Sequence, residues 1–305
     1  MEGEPDVSKK LVVGLVIIFL LVMGILSIKS AGKSASAGSG TGNDKVGVIE
    51  ISGTLAETGS SSMLTASGSD AEKIMETIRD AAERKDIKAL VLRINSPGGT
   101  SVAAQEVGVE LDRFRKSGKP IVTSMGDVCA SGGYWVACSS DRIVANPSTL
   151  TGSIGVIMEF SNLEGLYGKI GVREEVIKSG AYKDIGSSSR QLTPEERELL
   201  QGLVNDSYAQ FLDQVSQGRK GKMSRAEIVK IADGRVISGR QAKQLGLVDD
   251  LGNYYEALDI ARKMADMDKD SPVEVLNKPG VWDSLLADVQ ARRLLPQQNY
   301  WRLSY

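Results

Sequence analysis

Ser131 stands in Ala130-Ser131-Gly132-Gly133, in a chain that has no histidine among its 305 residues. A serine flanked by small residues suits a nucleophile that needs backbone N–H groups close by to hold an oxyanion. Serine is a weak nucleophile at neutral pH and needs a base beside it, usually histidine. With histidine absent, a serine hydrolase here must draw on a lysine, a carboxylate or the chain terminus. A second glycine-bearing turn, Ser96-Pro97-Gly98-Gly99, could offer the Gly98 or Gly99 N–H to a bound carbonyl. The Gly132 N–H lies beside the Ser131 hydroxyl in sequence. Two such donors from separate turns, aimed at one point, make an oxyanion hole. Tight turns whose glycines meet positive φ explain either turn alone. Their occurrence after successive strands favours a site.

The elements that must position these turns follow from the pattern of apolar residues. Val46 to Ser52 reads as a strand, Gly53 to Gly68 as a polar, mobile loop, and Ser69 as the N-cap of a helix over about 70–84 with Ile74, Ile78 and Ala82 on one face. Ala89 to Ile94 is a second strand, about 101–116 a helix, and Pro120 to Ser124 the start of a third strand. This alternation predicts an α/β domain with a largely parallel sheet, in which ligands gather where strands end and helices begin. Both glycine turns fall at such ends. Further on, Thr193-Pro194-Glu195-Glu196 is a capping box opening a long helix to about Gln217, with Leu203, Tyr208, Leu212 and Val215 as its apolar stripe. Ser224-x-x-Glu227 caps another helix, and Asn253 to Met267 forms one more.

Composition narrows the partners. Charged residues make up 25% of the chain and the formal net charge is −2, so no whole-chain field draws it to nucleic acid. Cys129 and Cys138 are too few for a disulfide framework and, without histidine, make a poor metal site; they read as small buried thiols. Leu11 to Ile28 is a run of 18 uncharged, mostly apolar residues, near the ~20 that span a bilayer and longer than the ~7–15 of a signal-peptide core. Lys9 and Lys10 precede it and Lys29 and Lys33 follow, a nearly balanced count that sets no orientation. Ala35-Ser36-Ala37 resembles a cleavage site, but the length favours a retained single-pass anchor. Residues 29–44, rich in Gly, Ser and Ala, suit a flexible tether.

Asn95-Ser-Pro-Gly-Gly99, Ala130-Ser-Gly-Gly-Tyr134, Leu150-Thr-Gly-Ser-Ile-Gly155 and the run Gly234 to Asp249, in that order and at these spacings, resemble the signal peptide peptidase A family, membrane-anchored serine–lysine proteases of the Clp-protease/crotonase fold. The likeness runs from about Val46 to Ala261. It implies an α/β fold of repeated βαβ units with a helical C-terminal part, preceded by one transmembrane helix. It places the nucleophile on Ser131, and the general base in Lys178-Ser-Gly-Ala-Tyr-Lys183-Asp-Ile-Gly-Ser187, on Lys183 rather than Lys178. A free lysine has a pKa near 10.4, so such a base must be held where its ammonium is disfavoured, as burial in an apolar cleft does. Ser153 matches a serine that orients the lysine amine, and Gly98 and Gly132 match the oxyanion donors. Asp127 and Asp184 read as turn and surface residues.

The resemblance thus implies a serine endopeptidase that degrades cleaved signal peptides and other hydrophobic membrane-proximal segments, needs no cofactor or metal, and assembles as a homo-oligomeric ring. Together with the apolar run and the tether composition, it divides the chain into a cytoplasmic segment (1–10), an anchor (11–28), a linker (29–44), a protease domain (45–265) on the extracytoplasmic side, and, past the likeness, a C-terminal extension (266–305) ending in the aromatic Tyr300–Tyr305. Two rivals remain at this level. One is a related membrane serine–lysine protease with a particular membrane-protein substrate. The other is a crotonase-fold protein without proteolysis, an acyl-CoA enzyme or a scaffold.

Overall fold

A computed structural model describes residues 44–57 and 68–278. The anchor expected over Leu11–Ile28, the linker up to Asn43 and the aromatic tail lie outside the described residues. Among the described residues no helix is long and apolar enough to cross a membrane.

The strands with β-branched, apolar runs build the centre. Strands β1 (Lys45–Ser52), β4 (Ile87–Ser96) and β5 (Ile121–Ala130) pair in parallel, flanked by β10 (Val273–Val275) on one side and by β6 (Arg142–Ala145) and β9 (Asp250–Leu251) on the other. Side chains alternate between faces. Leu90, Leu92 and Ile94 of β4 join one apolar cluster, with Ile49 and Ile51 of β1, while Ala89 and Val91 join another with Val46, Val48 and Val122. Covering both faces is what a parallel sheet requires.

The first face is covered by α1 (Ala71–Glu83) through Ile74, Ile78 and Ala81, and by α2 (Ser101–Lys116) through Val107, Leu111 and Phe114. The second is covered by α8 (Tyr254–Met264), the last helix of the described residues, through Ala257, Leu258 and Ala261. Between these lie α3 (Gly132–Ala137), α4 (Glu164–Ile170), α5 (Pro194–Gly218), α6 (Arg225–Ile231) and α7 (Gly239–Leu245). The capping boxes at Thr193 and Ser224 form as the sequence predicts. The mixed α/β architecture with its parallel sheet is therefore as expected. Residues 273–275 of the expected C-terminal extension belong to this sheet as β10.

Several local expectations are corrected. Within the expected loop 53–68, Thr54–Ala56 (β2) pairs in parallel with Gly68–Asp70 (β3). Asp70 rather than Ser69 caps α1, accepting from the Glu72 N–H. The Ser69 hydroxyl instead bridges the Ser52 N–H and C=O, each at 2.8 Å. On α5, Leu203 is exposed, and Phe211 joins Leu212 and Val215 in the core. The final helix ends at Met264, three residues early.

Candidate active site

The third parallel strand is longer than its apolar start suggested, and it delivers Ser131 directly into α3. Ser131 has φ 52° and ψ −124°, a sparsely populated conformation for a residue with a Cβ. Among the described residues only Ser131, Ser153 and Asp266 are non-glycine residues at positive φ. Two of the three are thus predicted site residues, and strain of this kind clusters at functional sites. A serine at a strained strand-to-helix turn has its hydroxyl raised above the sheet edge, as in a nucleophile elbow.

A bulge makes the placement possible. The β4–β5 register runs from Ile94↔Met125 to Ser96↔Cys129, so Gly126, Asp127 and Val128 stand opposite the single residue Asn95. The Asn95 Oδ1 accepts from the Val128 N–H at 3.1 Å, and the Thr149 hydroxyl donates to the Gly126 carbonyl at 2.7 Å. Bulges bend a strand and re-aim its later residues. This one brings Ser131 against the turn that ends β4. A Cβ on Gly98, where φ is +114°, would lie 2.8 Å from both the Ser131 Cβ and the Gly132 nitrogen. A Cβ on Gly99 would fall on the Leu55 carbonyl, because the two residues are bridged across the β2 edge.

Strand β7 (Leu150–Gly152) completes the group. It pairs with the end of β5, Ala130 opposite Gly152, and the Ser131 N–H donates to the Gly152 carbonyl at 2.9 Å. Ser153 is the next residue along and so adjoins Ser131. Its own N–H donates to the Arg235 carbonyl of the late segment, whose Val236–Ser238 forms β8, antiparallel to β7. Gly98, Gly132, Ser131 and Ser153 are therefore brought together from three strand ends.

The helix behind the serine is bolted down. The Tyr134 hydroxyl donates to the Leu247 carbonyl at 2.8 Å, and the Trp135 and Phe211 rings pack at 5.2 Å. Both cysteines are buried thiols, as expected; burial pushes Cys129 far above the usual thiol range and Cys138 up to about 12. They are inert packing, not nucleophiles.

The donors differ in availability. The Gly98 N–H donates to the buried Ser96 hydroxyl at 3.1 Å, which donates back to the Gly98 carbonyl. Among the described residues no hydrogen bond engages the N–H of Gly99 or of Gly132, and the Gly99 nitrogen lies 3.2 Å from where a Gly132 Cβ would be.

Lys183 is placed differently. Residues 157–183 are exposed throughout except for a half-buried Tyr167, and α4 buries nothing. Among the described residues no bond joins the Lys183 amine to Ser131 or Ser153, and no carboxylate pairs with it. Its backbone N–H donates to the Gly180 carbonyl at 3.2 Å. Lys178, the competing lysine, is occupied: its amine donates to Asp184 at 2.6 Å and to the Ala181 carbonyl at 2.9 Å. The surroundings of Asp184 were not foreseen from sequence. Asp184 is not a plain surface residue but is forked by Arg190, which also forks Glu196.

A parallel α/β domain with a strained serine between strand and helix, backed by unengaged amides from two glycine turns, has the layout of an acyl-transfer hydrolase. The comparison with known proteins is specific: residues 113–268 match the model of peptidase family S49, and the chain belongs to that family. A provisionally named protease of Synechocystis sp. is 42% identical over 226 residues, 74% of this chain and 76% of that one. A provisionally named signal peptide peptidase SppA of Enterococcus faecium is 34% identical over 238 residues, covering 78% and 69%. Protease 4 of Haemophilus influenzae is 34% identical over 231 residues, but this chain spans only 36% of its length.

Proposed function

We propose that the protein is a serine endopeptidase in which Ser131 attacks the peptide carbonyl and Lys183 is the general base. The observation that carries this reading is Ser131 held at φ 52° beside Gly98, Gly132 and Ser153. The lysine amine takes the hydroxyl proton as the Ser131 Oγ forms its bond to the carbonyl carbon. The developing oxyanion is held by the Gly132 N–H and by an N–H of the Gly98–Gly99 turn. Because the Gly98 N–H already serves Ser96, Gly99 is the better-placed donor of that turn. The Lys183 ammonium returns its proton to the leaving nitrogen, and the amine departs to leave an acyl-Ser131. The neutral lysine then takes a proton from the water that hydrolyses the ester, passing it to the Ser131 Oγ as the acid leaves. Ser153 orients the lysine amine.

The substrates we assign are cleaved signal peptides and other hydrophobic membrane-proximal segments, in keeping with the name of the Enterococcus relative. The apolar run Leu11–Ile28 supports a single-pass anchor, and we assign the N-terminus to the cytoplasm and the domain to the far side of the membrane on the family resemblance alone. The arm that carries Lys183 supports a ring of copies. Ile157 is 81% and Ile177 97% exposed in the single chain, amid further bare apolar residues, the kind of patch that marks an interface.

The test is labelling of the full chain by a serine-directed acylating probe, in the wild type and in Ser131→Ala and Lys183→Ala. Labelling is expected in the wild type alone; equal labelling of all three sinks the mechanism and favours a scaffold. Degradation of a signal-peptide remnant in the presence of a folded membrane protein then separates the proposed substrate from a dedicated membrane-protein target.

A further inference from the structure

A general base works only when held within hydrogen-bond reach of the proton it takes, on a support that does not give. The arm bearing Lys183 has almost no apolar support: from 157 to 183 its side chains are exposed but for the half-buried Tyr167. Immediately after Lys183 this changes. Residues 184–190 are partly buried, and the Leu163 N–H donates to the Ser188 carbonyl at 2.7 Å, closing the arm on itself.

The strongest polar structure on the arm begins at Asp184. The Arg190 Nε and Nη2 donate to the two Asp184 carboxylate oxygens at 2.9 and 2.8 Å. Its Nη1 and Nη2 donate to the two Glu196 oxygens at 2.8 and 2.6 Å, and Nη1 also reaches the Gln191 carbonyl at 3.0 Å. One guanidinium is thus forked by two carboxylates, the geometry in which arginine binds most firmly. The Glu196 side chain is only 3% exposed and the Asp184 side chain 13%. Glu196 in turn closes the capping box of α5, and α5 is anchored in the core by Phe211, Leu212 and Val215. A continuous chain of bonds therefore runs from the core to the residue next to Lys183.

Resting on the dyad proposed above, we propose that Arg190 is a positioning residue for Lys183, fixing the lysine segment to α5 through Asp184 and Glu196 and keeping the Asp184 carboxylate from pairing with the Lys183 amine. The charged groups facing Asp184 are Arg190 and Lys178, and those facing Arg190 are Asp184 and Glu196. Arg190, then Lys178, hold Asp184 well below the usual carboxylate range. With both cations spent on Asp184, that carboxylate is not paired with the Lys183 amine. A nearby free carboxylate would favour the charged lysine and silence the base at neutral pH.

The test uses the full chain in detergent, an apolar fluorogenic peptide, and pH–rate profiles for Arg190→Ala, Arg190→Lys and Asp184→Asn. Arg190→Ala is expected to lower kcat by about tenfold to a hundredfold, as for a displaced catalytic group. It should also raise the pH midpoint attributed to the lysine by roughly half a unit or more, because Asp184, left with Lys178 as its one charged partner, is able to turn to the Lys183 amine. Asp184→Asn should lower kcat without raising that midpoint. Arg190→Lys should restore part of the rate, as should added guanidinium with Arg190→Ala.

A fall in kcat with unmoved midpoints in both Arg190→Ala and Asp184→Asn means a merely structural role and overturns the proposal. So does wild-type behaviour of Arg190→Ala while Lys183→Ala is inactive, an outcome that leaves the dyad standing. Full activity of Lys183→Ala removes the dyad and this inference with it. Should Arg190→Ala not fold, Arg190→Gln, which keeps a neutral donor beside Asp184 and Glu196 and drops the charge, carries the same comparison.

Discussion

The end of β5 and the arm from 155 to 190 carry the two halves of the proposed chemistry and are built by opposite means. Around Ser131, Ala130, Gly132, Gly133 and Tyr134 are buried, β7 pairs in regular register on one side and β4 across its bulge on the other, and glycines meet backbone at contact distance. Such a site cannot relax, which is what preorganised oxyanion binding needs. The arm has little apolar burial and is held by a few charge-assisted bonds at one end. Segments of this kind open at low free energy. The acylating half is fixed by the core, while the base is brought to it by polar anchoring and by whatever covers the arm.

The largest effects should come from breaking the rigid half. Alanine at Gly98 adds a Cβ 2.8 Å from the Ser131 Cβ at a φ of +114°. Backbone strain alone should cost about 1–3 kcal/mol, and displacement of the oxyanion turn should cut probe acylation by about a hundredfold or more. Wild-type acylation by Gly98→Ala would mean the turn plays no part. Next is the buried pair behind α3. Arg219, fully buried, forks Asp249 at 3.0 and 2.7 Å, and Lys222 also donates to that carboxylate. Burial opposes ionisation of Asp249, but Arg219 and Lys222 outweigh it and hold the carboxyl at about 2. Asp249→Ala leaves a buried cation uncompensated, so denaturant unfolding should show a loss of about 3–5 kcal/mol. A change under about 1 kcal/mol would show that the scaffold does not depend on this pair.

The same contrast explains what the sequence made legible. The strands, the helices and both glycine turns announce themselves locally, because apolar period, caps and glycine act within a few residues. The grouping of Gly98, Gly132 and Ser131 followed from placing both turns at strand ends, whereas Ser153 was drawn in through the family resemblance alone. The bulge opposite Asn95 was not legible, although Gly126-Asp127 inside an apolar strand was its trace. Ion pairs between distant segments leave no period: nothing near Arg219 in sequence points to Asp249, and Glu196 read only as a cap. Leu203 sits at the helical spacing of a core residue and is exposed, since only the later turns of α5 meet the core.

A smaller effect distinguishes the halves by pH. Arg190, then the Thr193 N–H, hold the Glu196 carboxyl down at about 2, against about 4.3 for an unperturbed glutamate. A depressed carboxyl contributes order that is complete above the unperturbed value and lost as pH falls through the folded one. The arm should therefore be anchored equally at any pH above about 4.5 and should loosen between about 4.5 and 2. An acid-active protease should cut within 157–190 increasingly over that window, and in Glu196→Gln already above it. Cleavage of Glu196→Gln no faster than wild type at pH 6 would show that the arm is held by something other than this carboxylate.

The smallest effect on the fold, and the sharpest on the assembly, is expected at the tip of the arm. Ile177 is 97% exposed in the single chain, so Ile177→Ser should leave unfolding free energy within about 0.5 kcal/mol of wild type. Truncating an equally aliphatic side chain on the rigid half, as in Ile94→Ala, removes a residue with no exposed surface and should cost about 2–5 kcal/mol. If copies of the chain cover the arm, Ile177→Ser and Ile157→Ser should nonetheless shift the particle mass by light scattering toward smaller species. Activity should fall in proportion, because an uncovered arm leaves Lys183 on its polar anchor alone. Unchanged mass with both substitutions would mean that the arm's apolar residues are not what joins the copies, and the contrast between the two halves would then be one of flexibility within a single chain.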